Sequence, residues 1–147
     1  SLYNLYRFAH YYEEAYGKYI WLKSGASLVI EHTEAMTVID VNTGSVLKKK
    51  KQEDTLFYQI NREAAKEIAR QLRLRNISGI IMIDFINMKD TAQKEKLLSL
   101  LDSECKKDRV HCNVIDMTAL NLVEMTRSKV RKPLHEQIRS CMKNNRS

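Results

Sequence analysis

The stretch "MTVIDVNTGS", Met36 to Ser45, drives an apolar strand pattern into an acid, Asp40, and follows it with an amide, Asn42, and a turn at Gly44. A second stretch, "GIIMIDFINM", Gly79 to Met88, repeats the device with a longer apolar run, an Ile-Asp pair at Asp84 and an Asn close behind. A carboxylate is a poor end for a buried strand, because burial strips its hydration. In a strand alternate residues share a face, so Val38, Asp40 and Asn42 project together, as do Met82, Asp84 and Ile86. If the two strands are neighbours, the carboxylates of Asp40 and Asp84 converge at one sheet edge.

The elements around this pair alternate in type. Residues 2 to 16 are aromatic-rich with a helical pattern stopped by Gly17. Lys18 to Lys23, Ser27 to His32 and Ala35 to Val41 read as strands joined by short turns at Ser24-Gly25 and Thr33-Glu34, which implies an antiparallel meander. An exposed "KKKKQED" loop leads to a helix running at most from Asp54 to Arg75, with Asn61 as a candidate later N-cap and Ala65, Ile68, Ala69 and Leu72 as its apolar stripe. Ile77 to Ile86 is nearly all apolar, as expected of a strand covered on both faces. Asp90 with Gln93 three residues on forms a capping-box start for a helix to about Lys106, whose core face is Leu97, Leu98, Leu101 and Cys105. Val110 to Met117 and Leu122 to Thr126 are further strands, with Asn121 suited to a left-handed turn between them. Residues 131–147 form a basic, Pro133-marked tail or terminal helix. The expected fold is one α/β domain over residues 1–147, a mixed sheet with a three-stranded antiparallel meander and packed helices. Its element order resembles that of the ribonuclease H class of folds, an analogy that carries no chemistry by itself.

Composition sets bounds on function. The chain has 147 residues, one domain's worth, and 25 Lys and Arg against 18 Asp and Glu give it a net charge of +7. That balance points to a polyanionic partner. Cys105, Cys112 and Cys141 show no zinc spacing and read as free thiols in a reducing cytosol. No apolar stretch approaches the roughly 20 residues a membrane span needs, so the expectation is a cytoplasmic protein with no membrane partner. The chain begins at Ser rather than Met, which reads as part of something longer.

Two half-buried carboxylates a few ångströms apart cannot both stay ionised unless something positive neutralises them. Mg²⁺ suits the task, being held by one or two carboxylates, retained waters and substrate phosphate. An Asp pair beside a basic surface therefore fits metal-assisted phosphodiester hydrolysis. Asn42 can donate to an Asp40 oxygen and hold its rotamer. The ordinary alternative for each Asp alone is a strand-terminal turn former or cap.

The blocks "WLKSGASLVIEHTEAMTVIDVNTG", "NREAAKEIARQLRLRNISGIIMIDFINM" and "NLVEMTRSKVRKPL" closely resemble the DNase I-like subdomain of the ribonuclease E/G family of bacterial endoribonucleases, over roughly Trp21 to Leu134. The resemblance implies that Asp40 and Asp84 bind a catalytic Mg²⁺, with Mn²⁺ as a substitute, and that Asn42 positions Asp40. It also implies cleavage of single-stranded RNA in ribosomal RNA processing and messenger RNA decay, and a homo-oligomer in the intact protein. The family usually has Asp where this chain has Asn87 and Gly where it has Asn121. His111 lies near the place of an arginine that senses the RNA 5′-monophosphate, and as a His it carries charge only at lower pH. The family's RNA clamp and zinc link have no counterpart in these residues, so no zinc is expected and the isolated chain should be weak or inactive.

The basic residues divide similarly. Lys48, Lys49 and Lys50, in the run to Lys51, follow the Asp40 turn and are placed to meet RNA near the metal; they are equally ordinary loop solvation. Arg127, in the matching "EMTR" block, is the favoured RNA contact of its cluster. Arg62, Lys66, Arg70 and Arg73 share a helix face that could track phosphates, but Glu63 and Glu67 favour an ion-paired surface. The tyrosines at 3, 6, 11, 12 and 16 could stack on bases, with packing the favoured reading. The expected protein is thus the metal-binding catalytic core of a Mg²⁺-dependent endoribonuclease; the rival is a non-catalytic RNA-binding or assembly module that keeps the acids for folding.

Overall fold

The computed structural model describes residues 2–44, 46 and 53–130. The elements run α1 (Leu2–Tyr16), β1 (Tyr19–Trp21), β2 (Ser27–His32), β3 (Met36–Asn42), α2 (Glu53–Leu74), β4 (Gly79–Asp84), α3 (Thr91–Cys105), β5 (Cys112–Met117) and β6 (Leu122–Arg127). The six strands form one open mixed sheet in the order β1-β2-β3-β4-β6-β5. Pairing is antiparallel except between β3 and β4, which are parallel because α2 carries the chain back across the sheet. The α/β class, the meander and the helices of the sequence reading are all present. The basic tail lies outside the described residues.

One face of the sheet makes the core. Leu28, Ile39, Ile81, Ile83, Val123 and Met125 are buried against Ile60, Ile68 and Leu72 of α2 and Leu97 and Leu101 of α3. Each such side chain stabilises by about 1.5–3 kcal/mol relative to exposure. The stripe predicted for α2 is buried throughout, and Asp90 caps α3 by accepting from Ala92 N at 2.9 Å. Asn76, left-handed at φ 49°, closes α2: Ile77 N donates to Leu72 O and Asn76 N to Arg73 O. That paired pattern satisfies the last carbonyls of a helix.

Three expectations need correction. The strand at Ile77 to Ile86 is shorter than predicted and covered on one face, with Ile80 48% exposed. Its β-branched run reflects strand preference more than double burial. Asn61 is no cap, since α2 begins at Glu53 and buries it mid-helix. The α1 tyrosines at 3, 6, 11, 12 and 16 are exposed and not packed on the described residues. Their clustering is local to the helix, as in the Tyr12–Tyr16 ring contact at 4.9 Å.

Candidate metal centre

β3 and β4 lie in a register that sets Asp40 directly beside Asp84. Lateral partners in a sheet share a face, and neighbouring strands are about 4.8 Å apart. The face is the one that α2 and α3 leave uncovered among the described residues: Ile39, Val41, Ile81 and Ile83 turn inward, while Asp40 is half-buried and Asp84 exposed. The two acids distant in sequence are therefore brought together as expected.

The electrostatics follow from that placement. Partial burial pushes the Asp40 carboxyl above the usual carboxylate value, and the charge of Asp84 pushes it further, with Glu31 adding to the effect against a hydrogen bond from Val41. Glu31 itself is paired with Lys18 at 2.6 Å. Asp40 and Asp84 thus form an oxygen-only donor pair whose mutual repulsion a hard cation would relieve. No three His, Cys, Asp or Glu side chains converge among the described residues. The arrangement fits an ion that is content with two carboxylates, its own waters and a substrate phosphate, which describes Mg²⁺ better than Zn²⁺.

Asn42 sits on the same face at the exposed end of β3, opposite Ser27. Its amide makes no hydrogen bond to Asp40 among the described residues. The turn that follows is tightly specified: Gly44 has φ 58°, and a Cβ there would lie 2.9 Å from the Gly25 carbonyl oxygen. Only glycine satisfies both the left-handed backbone and the close approach.

Sequence reasoning missed the residue that holds the other half of the centre. Asn61 donates through Nδ2 to the Ile86 carbonyl at 2.8 Å and accepts at Oδ1 from Ile86 N at 3.0 Å. A buried amide thereby acts as a strand partner for the chain just past Asp84. The available signal was an Asn four residues before Ala65, on the apolar stripe itself, where an unpartnered amide would be costly. Beyond it, Asn87 accepts from Asn121 Nδ2 at 3.4 Å, and Asn121 Oδ1 accepts from Lys94 at 3.2 Å. The two positions that depart from the expected family pattern are thus in contact, and Asn121 is left-handed at φ 62° as its turn required.

The remaining candidates lie elsewhere. Arg127 is 4% exposed; it donates to Asp108 through Nε at 2.9 Å, and to Asn76 Oδ1 and the Ile77 carbonyl through Nη1. The RNA contact expected of it gives way to a structural one: an ion pair that ties the end of α2 to the loop after α3. Burial pushes Asp108 up, but the Arg127 hydrogen bond, with help from Val110 N and the Arg127 charge, holds it below the ordinary value. His111 is exposed and precedes β5, whose pairing puts it beside Ser128, at the end of the sheet away from Asp84. Arg70 pairs with Glu67 at 2.9 Å, in keeping with the ion-paired α2 surface. Lys48, Lys49 and Lys50 lie outside the described residues.

The model of the Ribonuclease E/G family matches residues 1–130. The chain belongs to the ribonuclease E/G family. It is 45% identical over 122 residues to Ribonuclease G of Escherichia coli, which covers 83% of this chain and 25% of that protein. Ribonuclease G of Haemophilus influenzae is 44% identical over 133 residues, covering 90% of this chain and 27% of the relative. Ribonuclease E of a Nostoc species is 42% identical over 115 residues, covering 78% and 17%. The chain spans about a quarter or less of the length of these ribonuclease E/G relatives. No helix among the described residues is long and apolar enough to cross a membrane.

Proposed function

We propose that this chain is the metal-binding catalytic part of a Mg²⁺-dependent endoribonuclease that cuts single-stranded RNA. The observation that carries the reading is the lateral pairing of Asp40 with Asp84 on an open sheet face. Asp40 and Asp84 would hold the ion. When bound, a hard divalent cation supplies Lewis acidity toward a phosphodiester and neutralises its developing charge.

The chain's own residues supply position. Asn61 fixes the backbone beyond Asp84, the Gly44 turn fixes the backbone beyond Asp40, and Asn42, on the same face, would steady the Asp40 carboxylate once the centre is loaded. Lys48, Lys49 and Lys50 follow this turn and neutralise backbone phosphates. A bare sheet face suits a polymer, which must lie across its site rather than enter a closed pocket. The relatives named ribonuclease E and ribonuclease G support the RNA substrate, and RNA processing and decay in the cytoplasm would be its setting. Cleavage then belongs to the longer protein, as an oligomer, with this chain alone weak.

The test is a Mg²⁺ titration followed by melting temperature, wild type against Asp40→Asn. Wild type should gain stability with Mg²⁺ and Asp40→Asn should not. Equal responses would favour a non-catalytic module that keeps the acids for folding.

A further inference from the structure

The cross-strand row that carries the acid pair continues toward the outer edge of the sheet. Tyr19 pairs with Val29, Val29 with Asp40, and Asp40 with Asp84. Directly opposed residues share a face, so the Tyr19 side chain stands on the same bare face as the acids. It lies two strands from Asp40, about 10 Å at ordinary strand spacing. A parallel row runs from Trp21 through Ser27 to Asn42.

These two rings are not core residues. Ile20 of β1 packs against the core and Leu22, just past the strand, lies in it, whereas Tyr19 is 59% and Trp21 73% exposed. In these two rows the intervening strand contributes only Val29 and the buried Ser27; Glu31, further along β2 on the same face, is taken up by Lys18 at 2.6 Å. Lys18 sits over the Tyr19 ring, its Nζ 5.8 Å from the centroid, and the exposed Lys23 lies two residues past Trp21. An aromatic pair with Lys23 close by, level with the acid pair proposed to meet the phosphodiester, matches what a single-stranded nucleic acid requires: faces for its bases and positive charge for its backbone.

We infer that Tyr19 and Trp21 form a base-stacking platform that holds single-stranded RNA a nucleotide or two away from the phosphate at Asp40 and Asp84. The inference rests on the nuclease reading above and names two residues that place its substrate. Stacking is indifferent to base identity, because every base has a π face, so the platform orients RNA without dictating sequence.

Trp21 is the one tryptophan of the chain, so its fluorescence reports this position alone. The experiment titrates the full chain, in EDTA, with decauridylate and with an abasic strand of equal length. Decauridylate should quench Trp21 saturably and the abasic strand should not. Trp21→Ala and Tyr19→Ala should each weaken binding of fluorescently labelled decauridylate by about 5- to 100-fold, the range for loss of one stacked base. Both variants should keep the Mg²⁺-induced rise in melting temperature, which shows that they fold and load the metal. Absence of quenching, equal quenching by the abasic strand, or unchanged affinity in both variants would overturn the platform. So would a concentration-dependent blue shift of Trp21 without RNA, which would make this face an interface between copies. Loss of the Mg²⁺ response in wild type, with quenching intact, would instead remove the nuclease reading.

Discussion

Asn61, in the middle of α2, holds both polar atoms of the Ile86 peptide, two residues past Asp84. The helix that covers the core thereby also sets the direction in which the chain leaves the acid pair. Replacing Asn61 by Leu should leave a backbone donor and acceptor without partners, at a cost of about 1–3 kcal/mol. Urea denaturation checks the stability, and a metal titration of the same variant should show weaker binding as the Asp84 end of β4 loosens. Unchanged stability would mean that water replaces the clamp.

The Arg127–Asp108 ion pair predicts a structural phenotype. Its side chains are 3% and 5% exposed, so removing one partner strands the other charge in the interior. Arg127→Ala should lose about 3–5 kcal/mol, and the double variant Arg127→Met with Asp108→Leu should recover much of it. Because Asp108 is held below its ordinary value, the pair's contribution is present at neutral pH and is lost as pH falls through the lowered value. Stability curves of wild type and Asp108→Asn should converge in acid.

Asp40 has the opposite sign. Its carboxyl sits above the ordinary carboxylate value, so the folded state holds its proton more tightly than the unfolded chain. Stability of the metal-free protein should therefore fall as pH rises from about 3.8 through the raised value and stay level above it. Asp40→Asn removes this slope, and saturating Mg²⁺ should offset the loss in wild type at neutral pH. Melting temperatures across this range, with and without EDTA, give the answer.

Gly44→Ala should destabilise by about 1–3 kcal/mol, since the new methyl meets the Gly25 carbonyl in a left-handed backbone. Its larger effect should fall on metal affinity, through displacement of the turn that follows Asp40. A variant with wild-type metal affinity would show that this turn does not position the centre.

The sequence was legible where physics is local or periodic. The meander, both long helices, the Asp90 cap and the left-handed Asn121 each follow from spacing or turn chemistry within a few residues. The pairing of Asp40 with Asp84 needed only alternation and adjacency. What escaped was long-range. Nothing local distinguishes an Arg127 that meets RNA from one that meets Asp108 at 2.9 Å, nor an Asn61 that caps a helix from one that pairs with Ile86. The α1 tyrosines misled because aromatic clustering signals burial only when another element covers it, and none of the described elements does. The Tyr19–Trp21 platform was invisible until register put β1 in line with β3.

The most direct measurement is paramagnetic broadening of backbone amide resonances by substoichiometric Mn²⁺, in wild type and in Asp40→Asn. Broadening should centre on the ends of β3 and β4, around residues 40 and 84, and should vanish in the variant. Broadening centred elsewhere, or undiminished in Asp40→Asn, would contradict a shared cation at this pair.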